Sequence, residues 1–159
     1  MINLCFIKTN QILSKMKRLL LTLLLACAAQ VALAQDVITY RTDQTFDDVV
    51  FGLENAILDQ GLIVDQVSHV GEMLARTGQD VGSDTKIFEA ANVYLFCSAV
   101  LSRKMMEADP LNIGFCPYGV FVAEGSEGVR IGFRAMPAGA MQEVHALLDE
   151  IAREAAEIE

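Results

Sequence analysis

The chain has 159 residues, of which 21 are acidic and 12 are basic, and its formal net charge at pH 7 is −9. A surface with this excess of negative charge repels phosphate backbones, so the composition argues against a nucleic-acid partner and favours a soluble, acidic protein. The length suits one domain with one hydrophobic core.

The N-terminal residues have the pattern of a segment that is removed on export. Lys17 and Arg18 precede an apolar run, Leu19–Ala29, which is shorter than the roughly 20 residues that a membrane span needs. A small-residue site, Ala32-Leu33-Ala34, follows this run. The pattern predicts a signal peptide that is cleaved after Ala34, and therefore a periplasmic or secreted protein with no membrane segment after cleavage.

The domain boundaries follow from this pattern. Residues 1–15 fit no targeting signal and are interpreted as a mis-called start or an extension, residues 16–34 as the signal peptide, and residues 35–159 as a single α+β domain. This domain keeps all 21 acidic residues and 8 of the 12 basic ones, so its formal charge is −13. Leu24-Leu25-Ala26-Cys27 is similar to a lipoprotein box, which leaves lipidation of Cys27 as the alternative.

The first half of the domain alternates between strand and helix patterns. Residues 37–41 predict a strand, and Thr45 with Asp48 predicts the N-cap of a helix that ends at Gly61. Apolar residues at helical spacing predict one buried face of this helix: Phe46, Val49, Val50, Leu53 and Ile57. Residues 62–70 predict a second strand.

The middle of the chain gives weaker signals. Residues 72–76 predict a short helix, residues 78–84 a loop, and residues 86–91 one more helical turn. Val93–Cys97 is a continuous apolar run, which is typical of a central strand buried on both faces.

The second half predicts a helix, a hairpin and a final helix. Ser98 is expected to cap the first helix, and Asp109-Pro110 to end it. One side of this helix is predicted to be apolar through Val100, Leu101, Met105 and Ala108. Residues 118–134 predict a hairpin, and an apolar row then predicts a helix of about 18 residues: Met141, Val144, Leu148, Ile151, Ala155 and Ile158. The whole pattern predicts an α+β fold, a two-layer sandwich in which an approximately five-stranded sheet carries helices mainly on one face.

Cys97 and Cys116 are the cysteines that remain after cleavage, and each stands at a junction between a strand and a loop. In an exported protein two cysteines favour a disulfide. The alternative is a reactive thiol, because Cys97 directly precedes a helix whose positive end favours thiolate, and Arg103 and Lys104 lie on that helix. A pair of inert thiols is a third interpretation.

Other candidate sites carry less weight. Cys97, Cys116, Met105 and Met106 include the ligand types of a Cu(I) or zinc site, but no CxxC or HxxxH spacing accompanies them, so we predict no metal and no cofactor. His69 follows a strand and could face a cleft, whereas His145 neighbours the apolar row of the last helix and is expected to have a packing or surface role.

The order of elements resembles the Domain of Unknown Function 302 (DUF302) family. The features that carry the resemblance are these: the helix start Thr45-Phe46-Asp47, Gly61, the strand Val93–Cys97, the helix end Glu107-Ala108-Asp109-Pro110 and the final hairpin. The resemblance implies a compact α+β domain with no assigned activity. This chain departs from the family pattern at two places. Many members carry Gly-Asn-Pro where this chain has Cys97-Ser98-Ala99, and Leu-Pro where it has Cys116-Pro117.

These observations favour an exported module that binds a small ligand or a protein partner, with a disulfide or redox pair formed by Cys97 and Cys116. The alternative is a thiol-based redox enzyme or a sulfur carrier with Cys97 as nucleophile, Cys116 as resolving thiol, and Arg103 or Lys104 stabilising the thiolate. A third class is a structural protein, including a homodimer or a subunit docked through its C-terminal helix.

Overall fold

The computed structural model describes residues 37–158. The predicted N-terminal extension, the signal peptide with its cleavage site, and the lipoprotein-like sequence all lie outside the described residues. Within residues 37–158, no helix combines the length and the apolar character that crossing a membrane requires.

The described residues form strands, α-helices and one 3-10 helix. In chain order they are β1 (Val37–Thr42), α1 (Phe46–Asp59), β2 (Val64–Ser68), α2 (Val70–Asp80), β3 (Ala90–Phe96), α3 (Ala99–Ala108), the 3-10 helix (Pro110–Phe115), β4 (Tyr118–Gly125), β5 (Gly128–Arg134) and α4 (Gln142–Ala155).

The strands form one five-stranded sheet in the order β1-β5-β4-β3-β2. Every neighbouring pair is antiparallel. Helix α1 packs against β4, α4 packs against β5, and the two helices pack against each other. The α+β fold predicted from the sequence is therefore confirmed.

Helix α1 has the start, end and buried face that its sequence predicts. The Thr45 Oγ1 accepts a hydrogen bond from the Asp48 backbone N–H at 3.2 Å, which satisfies one of the donors that the first helical turn leaves unpaired. Gly61 lies just past the helix with a φ of +70°, a conformation that glycine adopts without strain. Between these ends Val49, Leu53 and Ile57 are fully buried.

Strand β3 is not buried on both faces, so that prediction is wrong. Tyr94 and Phe96 point toward the core and are buried, whereas the alternating Val93 and Leu95 are only half-buried. The sheet is antiparallel with its two main packing helices on one face, so the other face of β3 has less cover. On this face Leu95 of β3 lies over Gly119 of β4. A Cβ added to Gly119 would stand 3.2 Å from the Leu95 Cδ2.

Several boundaries also differ from the sequence predictions. Residues 86–89 have no helical turn, and strand β3 already begins at Ala90. Helix α2 extends well beyond residues 72–76, β2 is shorter than residues 62–70, and α4 has 14 residues rather than about 18. The predicted apolar side of α3 is wrong in part, because Met105 is buried while Val100 is 83% exposed.

Candidate functional site

The two cysteines stand at the end of β3 and just before the start of β4, which are neighbouring strands. Phe96 pairs with Tyr118 in the sheet register, so the chain leaves β3 at Cys97 beside the point where β4 begins. Ser98 then caps α3, because its hydroxyl accepts from the Leu101 backbone N–H. The 3-10 helix leads the chain back to Cys116, and the Cys116–Pro117 peptide bond is cis. Helix α3 and the 3-10 helix thus connect the antiparallel strands β3 and β4, and they bring Cys116 back beside Cys97.

The sulfur atoms of Cys97 and Cys116 lie 3.6 Å apart. They are in contact but not at the distance of about 2.05 Å that a disulfide has. The Ser102 hydroxyl lies 3.3 Å from the Cys116 sulfur and 3.0 Å from the Tyr118 hydroxyl. Both thiols are half-buried. The site is therefore a dithiol with two hydroxyl groups hydrogen-bonded along one side.

Burial, the hydrogen bond with Cys116 and the charge of that neighbour, in this order of size, raise the pKa of the Cys97 thiol to about 11. This result contradicts the expectation that the start of α3 favours a thiolate at Cys97. The reason is that removing a charge from water outweighs the partial charge of a helix end. Burial also raises the pKa of Tyr118. The described site thus favours a neutral Cys97 thiol at physiological pH.

The two cations that were expected to support a thiolate have other partners. Arg103 pairs with Glu107 on the same helix, with 2.6 Å between Nε and Oε1, and both side chains are exposed. Lys104 pairs with Glu143, at the start of α4. Neither cation is among the groups that set the pKa of Cys97. Asp65 is among them, and its negative charge raises this pKa as well.

The methionines proposed as soft ligands have different environments. Met105 is 1% exposed and belongs to the core, and Met106 is half-buried on the same helix. Across residues 37–158, no group of three or more His, Cys, Asp or Glu side chains is placed to hold a metal ion.

A cavity with a volume of about 750 Å³ lies between α2, residues 83–89 and the start of β3. His69 lines it, as does Asn92, and the His69 Nδ1 lies 3.0 Å from the Asn92 Oδ1. The sequence placed His69 beside a cleft but suggested no partner for it. The other histidine, His145, packs its ring edge-on against Phe133, and its Nδ1 accepts from the Met136 backbone N–H.

Sequence reasoning missed Ser102, Tyr118 and Asn92. Tyr118 could have been found, because residues two apart in an extended segment point to the same side, and Tyr118 is two residues after Cys116. Ser102 and Asn92 carry no comparable signal. The contact of Ser102 with Cys116 spans 14 residues, and that of Asn92 with His69 spans 23 residues.

Comparison with known proteins gives a family and a fold. The family model of the domain of unknown function DUF302 matches residues 38–158. An uncharacterized conserved DUF302 protein from Bacillus stearothermophilus has a similar crystal structure, with a TM-score of 0.55 and 19% sequence identity. The match covers 75% of this chain and 89% of that one. No curated protein matches the chain.

Proposed function

Because the chain belongs to the DUF302 family, whose activity is not assigned, we propose that it is an exported binding module in which Cys97 and Cys116 form a structural disulfide. Its partner is a small molecule or a protein, a second copy of the chain included. The observation that supports the disulfide is the 3.6 Å separation of the two sulfur atoms at neighbouring strand ends.

Formation of the disulfide needs an oxidant, which an exporting cell supplies outside the cytoplasm. The two thiols lose two protons and two electrons, and the S–S bond forms as a disulfide of a thiol oxidoreductase is reduced to its dithiol. The bond would tie the end of β3 to the chain just before β4. It would therefore enclose α3 and the 3-10 helix in one covalent loop.

The thiol-enzyme alternative has less support. A nucleophilic cysteine needs a thiolate at working pH, whereas the pKa of Cys97 is raised to about 11. Strongly oxidising pairs also owe their potential to a stabilised thiolate form, which this site does not favour. The raised pKa thus supports a disulfide that is hard to reduce over one that is exchanged during turnover.

The pH dependence of alkylation separates these two functions. In the reduced, folded protein we expect Cys97 to reach half of its maximal rate with iodoacetamide only near pH 11, rather than near the ordinary value of 9.0. Since folding raises this pKa, the stability contributed by the protonated thiol is present below about pH 9 and is lost as the pH rises toward about 11. Peptide mass spectrometry after timed alkylation gives the rate at each cysteine.

The control is the same protein unfolded in urea, in which Cys97 should titrate near its ordinary value of 9.0. Intact mass before reduction gives the oxidation state, since a disulfide lowers the mass by two hydrogens. A folded Cys97 that reacts half-maximally below pH 8, in a protein recovered as the dithiol, would favour the enzyme and refute the structural disulfide.

Export makes a separate prediction. The protein recovered from the producing cell should begin at Gln35 and carry no acyl chain, because the apolar run and the Ala32-Leu33-Ala34 site are typical of a cleaved signal peptide. N-terminal peptide sequencing by mass spectrometry tests this. A mature N-terminus at an acylated Cys27 would show a lipoprotein instead, and an intact Lys17 and Arg18 segment would show that the chain is not processed.

A further inference from the structure

We propose that the cavity between α2, residues 83–89 and the start of β3 binds a small neutral molecule that has an aromatic or branched apolar body and one hydroxyl group, which donates to His69. This inference deepens the proposed function, because it gives the binding module a site and a ligand class. The cavity lies at the Ala90 end of β3, whereas Cys97 follows the other end.

The volume and the walls of the cavity fit a small organic molecule. Its volume of about 750 Å³ falls within the range of about 300 to 1,000 Å³ that small-molecule sites occupy. Apolar side chains from three parts of the chain line it, Phe46 at the start of α1, Leu74 on α2 and Phe88 before β3. Phe88 is 36% exposed, so an apolar ligand would remove aromatic surface from water.

Part of the cavity lining is a close contact between helix and strand, at Gly71 and Ala91. Gly71 is at the start of α2, and a Cβ added to it would stand 2.7 Å from the Ala91 backbone nitrogen. Only a glycine allows α2 to approach β3 this closely. The helix is therefore held directly against the strand that carries Asn92.

A chain of hydrogen bonds orients the ring of His69. The Asn92 Oδ1 lies 3.0 Å from the His69 Nδ1, and the Asn92 Nδ2 donates to the Tyr94 hydroxyl at 3.5 Å. The Asn92 oxygen can only accept, so Nδ1 is the nitrogen that donates to it, and in this tautomer the other ring nitrogen, Nε2, is a hydrogen-bond acceptor. No described residue contributes a hydrogen bond to Nε2, which leaves this atom available for a ligand hydroxyl.

The charges around the cavity favour a neutral ligand. Glu72 pairs with Arg76, and Lys86 pairs with Glu89. Asp84 adds a further acidic group to the lining. An anion would therefore face a net negative rim. A cation would be attracted only weakly, because these acidic groups are exposed and salt screens their charges.

The probes that test this proposal are p-cresol and toluene, which differ by one hydroxyl group. We expect p-cresol to shift the amide NMR signals of residues 69–92 saturably in the ¹⁵N-labelled protein purified from the producing cell. Toluene should bind there about three- to tenfold more weakly, which is the effect of one neutral hydrogen bond. His69→Phe keeps a ring but removes the acceptor, and it should make the two affinities equal.

A matched pair of alanines controls for location. Ala75→Trp, on α2, should fill the cavity and abolish binding of both probes, whereas Ala146→Trp, on α4, should leave it unchanged. Both alanines are exposed, and dispersed amide spectra of each variant confirm that it is folded. Equal affinities of p-cresol and toluene in the unmutated protein, shifts centred on α4, or no saturable shift at millimolar probe would each overturn the proposal.

The titration with p-cresol and the alkylation test of the proposed disulfide can fail independently of each other. The titration is run on the oxidised and on the reduced protein, and we expect the same affinity in both. A failure of p-cresol to bind leaves the alkylation result as it stands. A dithiol that is found reduced and reactive leaves the titration as it stands, since Asn92 and Cys97 lie toward opposite ends of β3.

Discussion

Replacing Leu148 by alanine should lower the free energy of unfolding by about 2–5 kcal/mol, the range for removing a large aliphatic side chain from a packed core. Leu148 lies on α4 and is fully buried, together with Val144 and Ile151 one turn to either side. Helix α4 packs against both β5 and α1, so the substitution would leave a cavity where these three elements meet. Urea denaturation followed by circular dichroism measures the change.

The matched control is Leu58→Ala, since Leu58 is also a helical leucine but is 58% exposed on α1. We expect a change within about 0.5 kcal/mol for this variant, as for most surface substitutions. Equal losses in the two variants would mean that α4 is peripheral to the core.

The burial of the apolar row within the domain also means that α4 does not offer this row as a docking surface for a partner.

The sequence predicted best those elements whose signals are local. The cap at Thr45, the left-handed Gly61 and the hairpin between β4 and β5 all depend on residues within a few positions of one another. The apolar row of α1 also reports directly which face is buried, because a helix on the surface of a sheet has one apolar side. These features were enough to indicate the α+β class.

The predictions that were wrong depend on which elements cover which face. An apolar run such as residues 93–97 is equally compatible with a strand buried on both faces and with one whose second face is shielded by its neighbours. Val100 resembles a core residue by spacing alone, yet it lies in the first turn of α3, where the protein leaves it exposed. The extent of cover is a tertiary property that local spacing does not encode.

The candidate site shows the same division. The position of each cysteine at a junction between a strand and a loop followed from the sequence, whereas the pairing of β3 with β4, which brings the two sulfur atoms into contact, did not. The direction of the pKa shift at Cys97 did not follow, because it is set by burial and by Cys116, a residue distant in sequence. Arg103 and Lys104 were assigned to the thiol by their helix, whereas their ion pairs are set by Glu107 and by Glu143 on another helix.

Reducing the proposed Cys97–Cys116 disulfide should lower the free energy of unfolding by about 3 kcal/mol. The two cysteines are 19 positions apart, and closing a loop of this size restricts the unfolded chain by about that amount. The folded site needs little rearrangement, since the sulfur atoms are already in contact at 3.6 Å in the dithiol form. Urea denaturation of the protein recovered from the producing cell, with and without a thiol reductant, measures the difference.

Cys97→Ser and Cys116→Ser provide the decisive control, because neither variant can form the bond. Both should unfold at a lower urea concentration than the oxidised protein, and added reductant should leave both midpoints unchanged. The Ser102 hydroxyl lies 3.3 Å from the Cys116 sulfur, so a serine at position 116 can keep a hydrogen bond there. Any stability lost beyond that of the reduced protein then reports packing rather than the disulfide. If the oxidised protein is fully reduced by the reductant, as intact mass shows, and its midpoint does not change, the bond does not stabilise the fold.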